Sequence, residues 1–110
     1  GEAVIDKHFN SSWEDTALSE LLDEIGATRV VLAGAATNWC IRATAYGALE
    51  RGYDLTLVKD AHTTESLEFA DGTEIPASHI VDELNVAMRW VAYPGRDNAV
   101  TSVADLTFTS

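Results

Sequence analysis

Two kinds of segment alternate along the chain. Short apolar runs, such as Val30-Val31-Leu32, are each followed by a longer stretch whose apolar residues are three or four positions apart. This alternation is typical of βαβ units, in which parallel strands form one sheet and the helices pack on its faces. We therefore predict an α/β fold, a three-layer α/β/α sandwich with a mainly parallel sheet.

Apolar positions and turn residues give approximate limits for each element. Strands are predicted at residues 4–5, 29–33, 55–58 and 100–103. Helices are predicted at residues 18–25, 38–51 and 76–91, with a polar loop at 61–74 and with Gly26 and Gly52 ending the first two helices. So few strands make a small sheet. We expect residues 1–110 to be one domain whose N-terminal strand or strands precede Gly1.

Polar residues follow three of the predicted strands. Lys7, the segment 34–40 and the segment 60–63 each come directly after a strand. In sheets of this kind, ligands bind beyond the carboxyl ends of the strands. The sequence therefore predicts that these three polar groups meet at one edge of the sheet and form the functional site.

Cys40 is the only cysteine, and it lies where a predicted strand gives way to a helix. In the first turn of a helix, free backbone N–H groups and the helix dipole favour negative charge, here the nucleophilic thiolate. On spacing alone, a small cysteine packed in the core is an equally good interpretation. A lone cysteine excludes an internal disulfide, and with no leader pattern in view we expect a reducing, cytoplasmic location.

The composition argues against two classes of partner. With 18 acidic and 7 basic residues, the net charge is −11, which repels nucleic-acid phosphates and anionic lipid headgroups. No apolar run approaches the ~20 residues that span a bilayer. We expect neither a nucleic-acid partner nor a membrane partner.

The histidines, His8, His62 and His79, lack the short spacings that are typical of metal ligands. We therefore predict no metal site within this sequence, and no motif in it indicates a cofactor.

A set of short motifs stands in a fixed order along the chain. The motifs are Val4-Ile-Asp-Lys7-His-Phe-Asn-Ser-Ser-Trp13, Gly34-Ala-Ala-Thr-Asn-Trp-Cys40, Gly47-Ala-Leu-Glu-Arg-Gly-Tyr53 and Leu57-Val-Lys-Asp-Ala-His-Thr-Thr64. Together they resemble the isochorismatase-like cysteine hydrolases, a superfamily that includes nicotinamidases, N-carbamoylsarcosine amidases and ureidoacrylate-type amidohydrolases. The resemblance runs from about Val4 to Phe108 and concerns the later portion of that family's domain.

The resemblance implies a triad of aspartate, lysine and cysteine. By the motif match, Cys40 is the nucleophile and Lys7 the lysine, whereas a solvated lysine is the ordinary interpretation of Lys7. It also implies a cis peptide bond between Ala35 and Ala36, with the backbone N–H groups of Ala36 and Cys40 as the oxyanion hole. Nothing before Lys7 matches the aspartate, and Asp6 would face the opposite side of a strand. We therefore expect the isolated chain to turn over little or no substrate.

Further residues near the motifs are candidates for contact with a substrate. They are Trp39, Trp13, Thr37 and Arg42. Trp39 and Trp13 would form an aromatic wall, and Arg42 either binds a substrate carboxylate or forms a surface ion pair. Trp90 suits a helix end or a subunit contact.

The loop after the third predicted strand offers three more polar residues. Asp60 favours a turn cap over a place in the site. His62 and Thr63 either line the mouth of the pocket or belong to an ordinary polar loop.

We predict a hydrolase that cleaves a C–N amide bond of a small molecule through a cysteine thiolate and an acyl-enzyme. Two alternatives stay open: a non-catalytic relative or fragment that acts as a binding or assembly module, and a redox-sensitive thiol protein. Because members of the family commonly form dimers or tetramers, the resemblance also implies a homo-oligomer.

Overall fold

The computed structural model describes residues 4–106, so the end of the predicted resemblance at Phe108 lies outside the described residues. In chain order the elements are α1 (Leu18–Glu24), β1 (Arg29–Ala35), a π-helical turn (Thr37–Ile41), α2 (Arg42–Glu50), β2 (Asp54–Thr63), β3 (Leu67–Glu68), β4 (Glu74–Ile75), α3 (Ala77–Trp90) and β5 (Asn98–Thr101). The predicted alternation of strands and helices is confirmed from β1 onward.

The main sheet has the strand order β1-β2-β5, and both pairings are parallel. Leu32 of β1 lies beside Leu57 of β2, which in turn lies beside Val100 of β5. Both connections step across the sheet in the same direction. Right-handed crossovers therefore place α2 and α3 on the same face. The predicted α/β class with a mainly parallel sheet is confirmed.

The hydrophobic core lies between that face and the helices. Its buried members are Trp13, Ile41, Ala45, Ala48, Leu49, Tyr53, Leu55, Leu57, Leu84 and Met88. Helix α3 buries Ile80, Leu84 and Met88, which recur every four residues and so form one stripe. The opposite face of β1 carries Val31, which is 37% exposed. None of the helices within residues 4–106 is long and apolar enough to cross a membrane.

Two predicted elements differ from the structure. Residues 4–7 form no strand, and Val4 is 88% exposed. An extended segment needs a neighbouring strand for its backbone hydrogen bonds, and none of the strands in the described part of the chain pairs with this one. The region predicted as a polar loop holds the end of β2 and the β3–β4 hairpin, in which Leu67 pairs with Ile75.

An irregularity in the sheet shapes the edge where the site lies. Leu32 pairs with Leu57, but the next paired residue of β1, Gly34, pairs with His62. Two steps along β1 (34 − 32) therefore correspond to five steps along β2 (62 − 57). The extra residues let the end of β2 pass beneath the turn that follows β1, which brings His62 under that turn.

Candidate active site

Cys40 lies in the π-helical turn Thr37–Ile41, which joins β1 to α2. The turn follows Ala36, whose backbone is extended and whose carbonyl oxygen accepts the N–H groups of Trp39 and Ile41, both at 3.1 Å. The peptide bond between Ala35 and Ala36 is cis, as expected. The cysteine is free and partly exposed, so its sulfur is open to reagents from one side.

Lys7 reaches the sulfur from the loop before α1. Its Nζ lies 3.5 Å from Cys40 Sγ and also donates to the carbonyl oxygens of Phe9, at 2.7 Å, and Asn10, at 3.1 Å. An ammonium group has three protons to donate, and here each has an acceptor. The predicted pairing of Lys7 with Cys40 is thus present in the structure.

Asn10 is a neighbour of the sulfur that the sequence did not single out. Its Oδ1 lies 3.9 Å from Cys40 Sγ, so the thiol is near both this amide and the amine of Lys7. Its position three residues after Lys7 is the only signal that the sequence offered. Within residues 4–106, no aspartate or glutamate forms an ion pair with Lys7.

Trp39 belongs to the same π-helical turn as Cys40 and is 55% exposed. It borders a cleft of about 440 Å³. The other lining residues are Ala35, Ala36, Thr63, Thr64, Glu65, Ser66 and Leu67. The cleft therefore has an aromatic wall, a backbone floor at the cis peptide and a polar far side. Of the predicted site residues, Trp39 and Thr63 line this cleft.

Trp13 and Thr37 do not face this cleft, which corrects their assignment to substrate binding. Trp13 is buried, stacks on Tyr53 with ring centroids 5.4 Å apart, and donates its indole N–H to Thr44 O at 3.0 Å. Thr37 is fully buried, and its hydroxyl bonds to the ring of His62. Both side chains hold the site in place from within the core and have no surface to offer a ligand.

Arg42 forms the ion pair that was its alternative interpretation. Its Nη2 lies 2.7 Å from Glu83 Oε1, which ties α2 to α3. Only Nη2 takes part in this ion pair, and Arg42 does not line the cleft beside Trp39. Its assignment to substrate binding stays a prediction. Because Glu83 is largely exposed and Arg42 partly exposed, the pair contributes at most about 1 kcal/mol.

The two remaining polar candidates, Asp60 and His62, form structural contacts as well. Asp60 accepts the N–H of Val103 at 2.9 Å and so fastens the turn after β5, a capping role in line with the favoured prediction. His62 is 3% exposed and lies beneath the Cys40 turn, away from the mouth of the cleft. In the described part of the chain, no three His, Cys, Asp or Glu side chains converge as metal ligands do.

The structure is thus that of an α/β protein in which a thiol is paired with a lysine. The thiol lies at a tight turn just beyond the end of a parallel strand. The sequence model of the isochorismatase domain matches residues 1–73, and the chain belongs to the isochorismatase family. An isochorismatase from Pseudomonas putida superposes with a TM-score of 0.82 at 32% identity, over 94% of this chain and 50% of that one. The isochorismatase-like fold is thereby confirmed.

Two curated relatives show the range of the family. A secreted isochorismatase effector of Verticillium dahliae is 33% identical over 68% of this chain and 40% of its own length. A maleamate amidohydrolase of Pseudomonas putida is 40% identical over 54% of this chain and 28% of its own length. The chain thus spans less than half of the length of these relatives.

Proposed function

We propose that this chain carries the nucleophile of a cysteine hydrolase that cleaves the C–N amide bond of a small molecule. The observation that carries the proposal is the 3.5 Å contact between Lys7 Nζ and Cys40 Sγ at the turn before α2. The name of one relative, an amidohydrolase, supports the choice of bond. Lys7 holds the sulfur as a thiolate, the form that attacks a carbonyl carbon.

The proposed reaction has two steps. In the first, Cys40 Sγ bonds to the carbonyl carbon, the oxygen becomes an oxyanion, and the C–N bond then breaks as the amine leaves with a proton taken from water. In the second, water attacks the thioester, which releases the acid and restores the sulfur. The N–H groups of Ala36 and Cys40 are the proposed donors to the oxyanion, because such donors stabilise the charge that develops in the transition state.

The proton for the leaving amine needs an acid. Lys7 has its protons bound to two carbonyl oxygens and the sulfur. Since no carboxylate among residues 4–106 pairs with Lys7, we propose that the isolated chain cleaves ordinary amides slowly or not at all. An ester with a good leaving group avoids this requirement, because its leaving group departs without a proton.

The cleft beside Trp39 is the proposed binding place of the substrate. Its indole offers an apolar face next to the cis peptide, and Thr63 and Thr64 offer hydroxyl groups opposite. A flat carbonyl compound with a polar edge would suit such a surface, since small-molecule sites combine apolar walls with a few polar groups.

The test is acylation of the 110-residue chain by p-nitrophenyl acetate. We expect one acetyl group per chain on Cys40, seen by mass spectrometry after digestion, and none on that peptide in Cys40→Ala. Lys7→Met should slow the acylation about tenfold, the effect of removing a charge-assisted contact. Lys59→Met, the other lysine of the chain, is the matched control and should leave the rate unchanged. Equal acylation of wild type and Cys40→Ala would refute the proposal.

A further inference from the structure

A series of hydrogen bonds, buried at its inner end and exposed at its outer end, runs beneath the Cys40 turn. Thr37 Oγ1 lies 2.8 Å from His62 Nδ1, and His62 Nε2 lies 2.7 Å from Asn85 Oδ1 on helix α3. Thr37 is fully buried and His62 is 3% exposed, so neither can reach a substrate in the cleft. Buried polar groups cost free energy unless each is bonded, and fully bonded networks favour one arrangement of the core.

The direction of each hydrogen bond in this series follows from its outer end, at Asn85. Asn85 Nδ2 donates to Lys59 O at 3.2 Å, which leaves Asn85 Oδ1 to accept from His62. Because Asn85 Oδ1 can only accept, Nε2 of His62 donates to it, and in the tautomer with its one proton on Nε2 the ring nitrogen Nδ1 accepts the hydroxyl of Thr37. The orientation of the Thr37 side chain is in this way set by a residue of α3.

Thr37 in turn begins the segment that holds the sulfur. It is the first residue of the π-helical turn, and its carbonyl oxygen accepts the N–H of Arg42 at the far end of that turn. Cys40 lies between these two points. A second bond, from Thr64 Oγ1 to Asn38 Oδ1 at 2.7 Å, ties the same turn to the end of β2.

We propose that His62 is a positioning residue for Cys40. Together with Asn85 it fixes Thr37, and thereby it holds the turn so that the sulfur stays beside Lys7. This inference rests on the proposed function, because it concerns the same sulfur. It predicts that Asn85, which lies on another element, affects the reactivity of Cys40.

The experiment measures the rate at which iodoacetamide alkylates Cys40, the single thiol of the 110-residue chain, in the folded protein at pH 7. His62→Gln keeps a donor toward Asn85 but loses the acceptor for Thr37, and Thr37→Val removes the hydroxyl at nearly constant volume. Both should slow alkylation about fivefold, which corresponds to the loss of one buried hydrogen bond. His62→Asn, which retains an acceptor near the Nδ1 position, should restore most of the rate. His79→Gln, at an exposed position of α3, is the matched control.

A second background separates positioning from a general loosening of the fold. If the network acts by keeping the sulfur beside Lys7, the effect of His62→Gln should vanish when Lys7 is already methionine. General loosening would expose the sulfur and accelerate alkylation in both backgrounds, which would overturn the inference. A wild-type rate of alkylation for both His62→Gln and Thr37→Val would also overturn the inference. If those variants do not fold, Asn85→Ala provides the test. It should also slow the alkylation of Cys40, and a wild-type rate for this variant would contradict the inference.

Failure of the proposed function has a different signature. If Lys7→Met alone alkylated at the wild-type rate, the activating role of the lysine would be wrong. The inference would fall with it, because His62 is proposed to act by keeping the sulfur beside Lys7. Slow alkylation of Lys7→Met together with wild-type rates for the His62 and Thr37 variants would instead refute the inference and leave the proposed function intact.

Discussion

Replacing Gly47 with alanine should bring a methyl group into the indole of Trp13. A Cβ at position 47 would lie 2.8 Å from Trp13 Nε1 and still closer to Cδ1, well inside normal contact distance. The ring has little room to retreat. It stacks on Tyr53 and its N–H is bonded to Thr44 O, while the guanidinium of Arg51 lies 5.0 Å from the ring centroid.

The size of the effect follows from two opposing terms. Forcing an extra carbon into a well-packed site costs about 3 kcal/mol at the upper end of the usual range, which suits a ring held on both sides. Alanine gains about 1 kcal/mol over glycine within a helix. The free energy of unfolding of Gly47→Ala should therefore be about 2 kcal/mol lower than that of the wild type.

Urea unfolding followed by circular dichroism measures this loss. We expect a lower midpoint with an unchanged slope, because the native fold is retained. Trp13→Ala has no ring for the new methyl group to meet, so in that background Gly47→Ala should raise the free energy of unfolding by about 1 kcal/mol, the gain of alanine over glycine alone. An unchanged midpoint in Gly47→Ala, or an equal loss in both backgrounds, would show that the collision does not determine the stability.

Three further predictions concern titration and the cleft. Burial, and then the hydrogen bond to Asp23, raise the pKa of Tyr53 above its ordinary 10.0, so its contribution to stability is present below pH 10 and is lost as the pH rises through the raised pKa. Asp23→Asn should lower that pKa in an ultraviolet titration, and no change would contradict the assignment. Hydrogen bonds from the side chain and backbone of Thr73 lower the pKa of Asp71 below its ordinary 3.8, and any stability from them is present above pH 3.8 and is lost as the pH falls through the lowered pKa. Thr73→Val should raise that pKa in an NMR titration, and an unchanged value would exclude the side-chain bond as its main cause. Trp39→Ala should change the unfolding free energy by no more than about 0.5 kcal/mol, because the side chain is 55% exposed, yet slow acylation by p-nitrophenyl acetate; an unchanged acylation rate would argue against the cleft as the binding place.

The sheet was predictable because its strands leave a plain trace in the sequence. Leu55, Leu57 and Val58 are all buried, and a short run of apolar and β-branched residues followed by polar ones is typical of a strand. The β3–β4 hairpin was missed although its turn has a signal. Asp71-Gly72 is a common hairpin dipeptide, and Gly72 has a φ of +90°, which favours glycine.

The sequence predicted which two residues meet at the candidate site, but it did not predict the directions in which the neighbouring side chains point. The motifs named Lys7 and Cys40, and the structure brings them together. The spacing of residues does not reveal whether a side chain points into a cleft or into the core, and this is why Trp13 and Thr37 were assigned to the substrate. The buried place of His62 depends on the irregular register of β1 and β2, which no local pattern in the sequence indicates.

The contact between Lys7 and Cys40 depends on how the loop before α1 is fastened to α2. Thr44 lies one helical turn after Cys40, so the two residues share a face of their segment. Its hydroxyl accepts the N–H of Ser12 at 3.0 Å, and its carbonyl oxygen accepts the indole N–H of Trp13 at 3.0 Å. The loop that carries the amine is thus bonded to the same segment that carries the sulfur. The 3.5 Å distance between Nζ and Sγ therefore depends on the packing of Trp13 as well as on Lys7 and Cys40 themselves. Thr44→Val, which removes the bond to Ser12 and retains the bond to Trp13, should slow alkylation of Cys40 less than Gly47→Ala does, because Gly47→Ala displaces the indole itself.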